Sequence, residues 1–313
     1  MKPRVLVTGV GGPAGRAVAA QLAARGIPVI GTDIRELPDV CVVPVVRVPD
    51  ASDPELVSSL RRLVRTEGIN LVIPTVRAEL PRLAAFRPGF GPDVRVIIGS
   101  PGAVALADDK LYTAWQLHSA GVPIPGFGVP RDFSCAEEAI DILGGPVVVG
   151  PRVSHGGGVV LVRGAGDIDW DGLPGGMIVQ EFVPGTEYGA MVFGTPAHNT
   201  TAPFAIVVER TELTRGGAGD AVGTRRVETG EAIDVGNVAM AAVRALSLTG
   251  PVEVDVRRRA DGRPVVLGVK AKFGVNSQCA PELLDAVLAS FALPSFNPAS
   301  FRQCRGAFAH VLV

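Results

Sequence analysis

Apolar residues in the first third of the chain fall in short blocks, separated by alanine-rich or charged amphipathic stretches. Arg4 to Thr8 is an apolar run that ends in a glycine cluster. Arg16 to Arg25 has helical character, and Gly26 stands where a helix would stop. Val29 to Asp33 reads as a second strand and Pro54 to Glu67 as a charged amphipathic helix. Asn70 to Thr75 reads as a third, buried strand and Arg95 to Ser100 as a fourth. Strands alternating with helices predict a parallel, doubly wound sheet over roughly the first hundred residues.

The pattern then changes. Ala107 to Ala120 reads as a helix, followed by the turn-rich Gly121-Val122-Pro123-Ile124-Pro125. Gly144 to Phe193 is strand-dominated, with candidates at Pro146 to Val149, Val159 to Arg163 and Met177 to Phe182. Ala232 to Leu248 resembles one long helix, and Pro251 to Arg257 with Pro264 to Val269 resembles a hairpin around Ala260 to Arg263. There is no internal repeat and no low-complexity segment. A parallel α/β unit followed by mixed α+β excludes a single barrel or bundle.

Composition narrows the function. The 313 residues have a mean hydropathy of +0.32, and 19% are charged, which argues against disorder. Thirty basic residues against 31 acidic ones leave no basic excess for a nucleic-acid backbone. The nearest basic run, Arg257 to Arg259, is explained by a strand-end turn. No apolar stretch reaches the ~18–20 residues of a membrane span, and the amino terminus has no signal-peptide architecture. Cys41, Cys135, Cys279 and Cys304 stand singly, as expected of buried free thiols in a reducing cytosol. The expectation is a cytoplasmic protein with neither nucleic-acid nor membrane partner. Lysine is rare: Lys2, Lys110, Lys270 and Lys272 are all there are, and three of them fall in the motifs below.

Gly9, Gly12 and Gly15 match TGxxGxxG, and Asp33 follows at about the interval of a ribose-binding acid. This pattern raises an NAD(P)-dependent short-chain reductase or epimerase as a distant alternative. That chemistry needs a tyrosine with a lysine four residues on, whereas Tyr112 is followed by Gln116 and Tyr188 by Val192. There is no GxxxxGK, HExxH or GxSxG.

Four further pieces occur in order. They are Asp109-Lys110 with the helix to Pro125; Pro146 to Arg152 with the loop His155-Gly156-Gly157-Gly158-Val159; Gln180 to Tyr188; and Gly250 to Asp255 through Lys272-Phe273-Gly274. Together, over about residues 4 to 285, they resemble the ATP-grasp superfamily, in the carbamoyl-phosphate-synthetase-like branch of ATP-dependent carboxylate–amine ligases. The resemblance implies a Rossmann-like pre-ATP-grasp domain at 1–105, a small lid subdomain at 106–180 and a large subdomain at 181–313. It implies ATP between the last two. Lys110 matches a phosphate-facing lysine, and the loop of His155, Gly156, Gly157 and Gly158 matches the cover over the phosphates. Glu181 and Val183 match the adenine hinge. Glu187 matches an acid on the ribose or metal side, and Asp255 matches the first metal acid.

The departures from the family pattern matter as much. Gly150 stands where a second phosphate lysine is expected, Gly268 where the bridging glutamate is expected, and Lys270 where a metal-ligating asparagine is expected. Lys272 replaces the usual arginine and keeps its charge. Arg152, two residues beyond Gly150, is a substitute phosphate cation, and Arg152 and Lys272 are the candidate catalytic residues. An ammonium at ~4 Å repels each unit of metal charge by roughly 1–4 kcal/mol, so Mg2+ is doubtful while ATP is expected. Two functions follow. One is a nucleotide-binding, regulatory or partner subunit with impaired Mg-ATP ligation. The other is an active ligase that proceeds through an acyl phosphate with rewired phosphate contacts. Expected partners are a nucleotide and a carboxylate or amine substrate, with a homodimer or a partner chain completing the site.

Overall fold

In this computed structural model, residues 2–37, 42–153, 158–195, 203–213, 221–228 and 230–292 are described. The first unit contains β1 (Val5–Thr8), α1 (Pro13–Ala24), β2 (Val29–Asp33), β3 (Val45–Arg47), α2 (Leu56–Thr66), β4 (Leu71–Ile73), α3 (Leu80–Phe86) and β5 (Arg95–Val96). All five strands are parallel, in the order β3-β2-β1-β4-β5. Every residue of β1 and of β4 is buried, as expected of central parallel strands covered on both faces. α2 buries Leu56, Leu60 and Val64, one stripe at four-residue spacing.

Two helices lead to the second unit, α4 (Pro101–Asp108) and α5 (Lys110–Ser119). The sequence predicts one helix from Ala107 to Ala120, and the structure corrects this. Asp109 adopts extended backbone (φ −99°, ψ 114°) and caps α5 by accepting from the Leu111 and Tyr112 N–H groups. The second unit holds β6 (Phe127–Gly128), α6 (Ala136–Leu143), β7 (Val147–Pro151), β8 (Val160–Val162) and β9 (Met177–Glu181). Its antiparallel order is β6-β9-β7-β8.

The third unit holds β10 (Glu187–Gly194), β11 (Phe204–Leu213), β12 (Ala221–Arg226), α7 (Ile233–Ala245), β13 (Gly250–Arg258), β14 (Pro264–Lys270) and α8 (Pro281–Ala292). It forms an antiparallel sheet, β12-β11-β10-β13-β14. The predicted hairpin around residues 260–263 joins β13 to β14, with Gly262 at φ +86°. β10 falls in the strand-dominated stretch read from the sequence, whereas β3, α3, α6, β11, β12 and α8 lie outside the elements read there.

Packing divides these units unevenly. One apolar cluster runs from α2 and α4 into α7, β10 and β13, so the first and third units share a core. A second joins α1 to α8 through Val18, Leu22, Leu283, Leu284 and Val287. The second unit has its own small core of Phe133, Ala136, Ala139, Val147, Val149, Val162 and Val179. Among the described residues no helix is long and apolar enough to cross a membrane. Cys135 and Cys279 are free but half-buried rather than buried, and Cys41 and Cys304 lie outside the described residues.

The glycine cluster has a packing role. Gly9 turns the chain after β1 at φ +64°. A Cβ on Gly15 would stand 2.3 Å from the Gly9 carbonyl oxygen and 2.9 Å from Thr75 Oγ1. Gly15→Ala is therefore expected to cost about 1–3 kcal/mol through backbone displacement. Gly102→Ala, in the exposed first turn of α4 with nothing within 4 Å of the new methyl, should gain about 0.4–1 kcal/mol. Urea denaturation of both variants checks the contrast, and a Gly15→Ala protein as stable as the parent would contradict this packing.

Candidate functional site

Residues two apart on a strand face the same way, so β13 aligns Glu253, Asp255 and Arg257. Strand register sets their neighbours: Glu187 of β10 lies opposite both Arg257 and Arg210 of β11, and Lys270 of β14 lies opposite Glu253. Six charged side chains converge on one face of the large sheet. Arg210 pairs with Glu187, with Glu253 at 3.3 Å and with Asp255 at 2.7 Å. Lys270 Nζ lies 3.3 Å from Glu253 Oε2 and 2.9 Å from Asp255 Oδ2. Arg257 pairs with Glu187 and donates to the Val183 carbonyl at 3.1 Å. Three carboxylates meet three cations, so the cluster is close to neutral.

The electrostatics follow from burial and pairing. Burial alone would raise the Asp255 carboxyl, but Lys270 and Arg210 hold it at about 2. Burial opposes charge on Lys270, yet Asp255 and Glu253 outweigh it and keep the ammonium above the ordinary lysine value. Arg210 behaves likewise: its three acidic partners overcome desolvation. Burial pulls the neighbouring Lys272 down to about 8, and Lys272 Nζ donates to the Phe273 carbonyl at 2.9 Å.

Asp255, Lys270 and Gly268 share this face, with Gly268 directly opposite Asp255. Glu187 is buried between two guanidinium groups. Lys110, at the start of α5, donates to the Pro151 carbonyl at 2.9 Å, and burial and Arg77 lower its pKa against the opposing pull of Asp255. Arg152 is paired with the α5 cap, its Nη2 lying 2.7 Å from Asp109 Oδ2, and its guanidinium lies over the Tyr112 ring. The Asp109 hydrogen bond raises its pKa. Gly150 and Arg152 thus stand on or just beyond β7, while Gly158 (φ +75°) precedes β8. His155, Gly156 and Gly157 lie outside the described residues. Glu181 accepts from the Gly126 N–H at 2.9 Å and pairs with Arg259. Val183 is 2% exposed.

Between α5 and β14, a crevice lined by Lys110, Gln180, Asp255, Leu267 and Lys270 has a volume of about 30 Å3. That is room for water and far below the ~300–1,000 Å3 of pockets that hold organic ligands. A larger cavity, about 510 Å3, opens in the first unit beside the glycine turn, and Lys272 forms part of its wall. Asp33, the sequence candidate for a ribose contact, holds the Gly11 N–H with one oxygen and the Arg35 N–H with the other.

Arg210, Glu253 and Arg257 are absent from the residues singled out by motif. The alternation Glu253-x-Asp255-x-Arg257 was a legible signal for the last two, and Arg257 is a buried strand residue rather than part of a turn. Arg210 carries no local signal, since it joins Asp255 across 45 residues of chain.

Residues 107–275 match the family model of the ATP-grasp domain. No curated protein matches the chain. Among solved structures, N5-carboxyaminoimidazole ribonucleotide synthetase from Thermotoga maritima is similar at a TM-score of 0.61 and 19% identity, over 87% of this chain and 69% of that one. L-amino acid ligase from Bacillus licheniformis gives a TM-score of 0.68 at 17% identity, over 89% and 69%. Biotin carboxylase from Campylobacter jejuni gives 0.67 at 14% identity, over 93% and 72%. At these identities the likeness is one of fold.

The charge cluster predicts a pH-dependent stability. Lys270→Ala leaves Glu253 and Asp255 buried against a single guanidinium, and should cost about 3–5 kcal/mol near neutral pH. Asp255 has a depressed folded pKa, so its contribution is complete above pH 3.8 and is lost as the pH falls towards about 2. The penalty of Lys270→Ala should shrink over the same interval. Denaturant titrations of parent and variant from pH 7 to pH 2 measure it, and a penalty that stays constant would contradict the pairing.

Proposed function

The chain belongs to the ATP-grasp domain family, and from that premise we propose that it is a nucleotide-binding member related to carboxylate–amine ligases, with resident cations where magnesium would be held. The observation that carries this reading is the double engagement of Asp255, by Lys270 at 2.9 Å and Arg210 at 2.7 Å. Magnesium takes oxygen ligands in a near-octahedral array, usually one or two carboxylates with phosphate and water. Here the two acids nearest that role, Glu253 and Asp255, already share an ammonium and a guanidinium. The side chains present do not fit the metal.

Nucleotide binding draws support from other groups. Lys110, Lys270 and Lys272 would meet the phosphates as point charges, and Gln180 with the hinge at Glu181 and Val183 would meet the base. The crevice would have to widen, and the separate core of the second unit allows that unit to move as a body. Such a protein serves as a binding, regulatory or partner subunit, with the division 1–105, 106–180 and 181–313 as its working units. Asp33 is satisfied by local N–H groups and the glycines by packing, so neither supports the reductase reading.

Binding of ATP is therefore expected to change less than tenfold between magnesium and a chelator, by calorimetry. A tightening of a hundredfold or more with magnesium, or release of phosphate in the presence of an amine and a carboxylate, would favour the active ligase instead. Lys110→Ala and Lys272→Ala should each weaken ATP at least several-fold; if both bind like the parent, the phosphate site is elsewhere.

Restoring the family residues offers a converse test. A Cβ on Gly268 meets only Asp255 Oδ2, at 3.8 Å, so a side chain can start there without a clash. On Gly150 it meets Val159 Cγ2 at 3.2 Å, a tighter fit. Gly150→Lys, Gly268→Glu and Lys270→Asn together should create magnesium-linked thermal stabilisation by ATP. Single changes should not, because neighbouring charges couple: the glutamate alone would pair with Lys270. A folded triple variant with no magnesium-linked shift in Tm would defeat the idea of a converted metal site.

A further inference from the structure

The second unit carries a cavity that the nucleotide crevice leaves unexplained. It has a volume of about 360 Å3 and lies between residues 129–134 and the stretch from Trp170 to Met177. That volume falls within the ~300–1,000 Å3 of pockets that hold organic ligands. Alternation along β9 fixes its side of the sheet. Met177 lines the cavity and shares a face of β9 with Val179, which packs with Phe133 and the α6 residues Ala136 and Ala139. Gln180, on the other face, lines the crevice. The cavity therefore opens on the α6 side of this sheet, away from the crevice.

Its charges stand out against their surroundings. Residues 106–180 hold nine acidic residues but only four basic ones, Lys110, Arg131, Arg152 and Arg163. Two of those four, Arg131 and Arg152, line this one cavity. Arg131 is exposed in a short turn, and among the described residues it makes no ion pair. Its neighbour Asp132 is already engaged, accepting from the Val129 N–H at 2.8 Å. Arg152 is held in place. Its backbone N–H donates to the Gly176 carbonyl at 2.8 Å, and Asp109 takes its Nε and Nη2. A guanidinium carries five N–H groups, so others remain for a ligand. The one acid on the wall is Asp171, which is exposed.

The rest of the wall is mostly apolar. Phe133 and Trp170 meet edge to face with ring centroids 6.3 Å apart, and Leu173 and Met177 extend the surface. Such a wall suits a molecule with an apolar body and a single negative charge. An amine would face two guanidinium groups. A phosphate dianion would meet Asp171 and cover neither ring. A neutral molecule would leave the two arginines unused.

We propose that this cavity binds a small organic monocarboxylate, its apolar body on Phe133, Trp170 and Met177 and its carboxylate on Arg131, with Arg152 as second donor. The planar fork of a guanidinium matches the two oxygens of a carboxylate. Arg152, a candidate phosphate cation by sequence, thus serves a site on the opposite face of the second unit from the nucleotide crevice.

The test uses the full chain without nucleotide, so its outcome is independent of the nucleotide reading. The chain has two tryptophans, and Trp115→Phe leaves Trp170 as the sole reporter. Its fluorescence is followed during titration with 3-phenylpropionate, phenylacetate, hexanoate, 3-phenylpropylamine, 3-phenylpropanol and inorganic phosphate. Calorimetry on the parent measures the same affinities without the substitution. At least one carboxylate is expected to bind saturably with a Kd of about 1 mM or tighter. It should bind at least tenfold more tightly than the amine, the alcohol and phosphate. Arg131→Gln should weaken it at least fivefold, and Arg131→Lys should restore part of that loss. Arg131 is exposed, so both variants should melt within about 2 °C of the parent. Should Arg131→Gln fail to fold, the ranking of probes on the parent decides alone. Excess ATP should leave the carboxylate bound. No saturable binding of any carboxylate, equal binding of the amine or the alcohol, tightest binding of phosphate, unchanged affinity in Arg131→Gln, or displacement by ATP would each overturn the proposal.

Discussion

The charge cluster on the large sheet depends on a single constraint: Asp255 and Glu253 are buried side by side on β13, and two like charges there require cations. Arg210 and Lys270 supply them from β11 and β14. Arg210 also reaches Glu187, and Arg257 closes the far side. In an antiparallel sheet these contacts are fixed by register, so a slip of one residue would turn every one of these side chains to the other face. The cluster therefore pins the register of four strands as well as setting the charge of the cleft. Such clusters add little net stability over apolar packing, while removal of one member is costly. Their value lies in specifying one arrangement.

That arrangement governs what the cleft can do. A carboxylate pair awaiting a metal is an electrostatic sink, and the same pair neutralised by two side chains is a rigid wall carrying a surplus of donor groups. The ammonium of Lys270 is held in place by Glu253 and Asp255, so its ordering cost is met in folding. The second unit, with its own core, approaches this wall through Lys110 and through the Arg152–Asp109 pair that ties β7 to the cap of α5. The first and third units share a core.

Lys272 lies between the charge cluster and the cavity of the first unit. Its ammonium lies close enough to Lys270 for repulsion and close enough to Glu253 for attraction, and burial keeps its pKa near neutrality.

Local pattern determined the succession of elements. Short continuous apolar runs located β1, β2, β4 and the β13–β14 hairpin, and amphipathic or alanine-rich stretches located α2 and α7, because each element needs its own apolar residues whatever its partner. The family motifs located Asp255 and exposed the departures at Gly268 and Lys270, since these are properties of position along the strand. The break at Asp109 was hidden: a helical pattern runs through it, and only the cap and the Arg152 pair show why the chain turns there. Arg210 was invisible for a different reason, as its partners lie 23 to 45 residues away and nothing local marks it. The meeting of Arg131 and Arg152 on one cavity belongs to the same class. Whether a charged side chain is paired or alone depends on which strands and turns surround it, and burial and charge pairing are decided between elements, never within one.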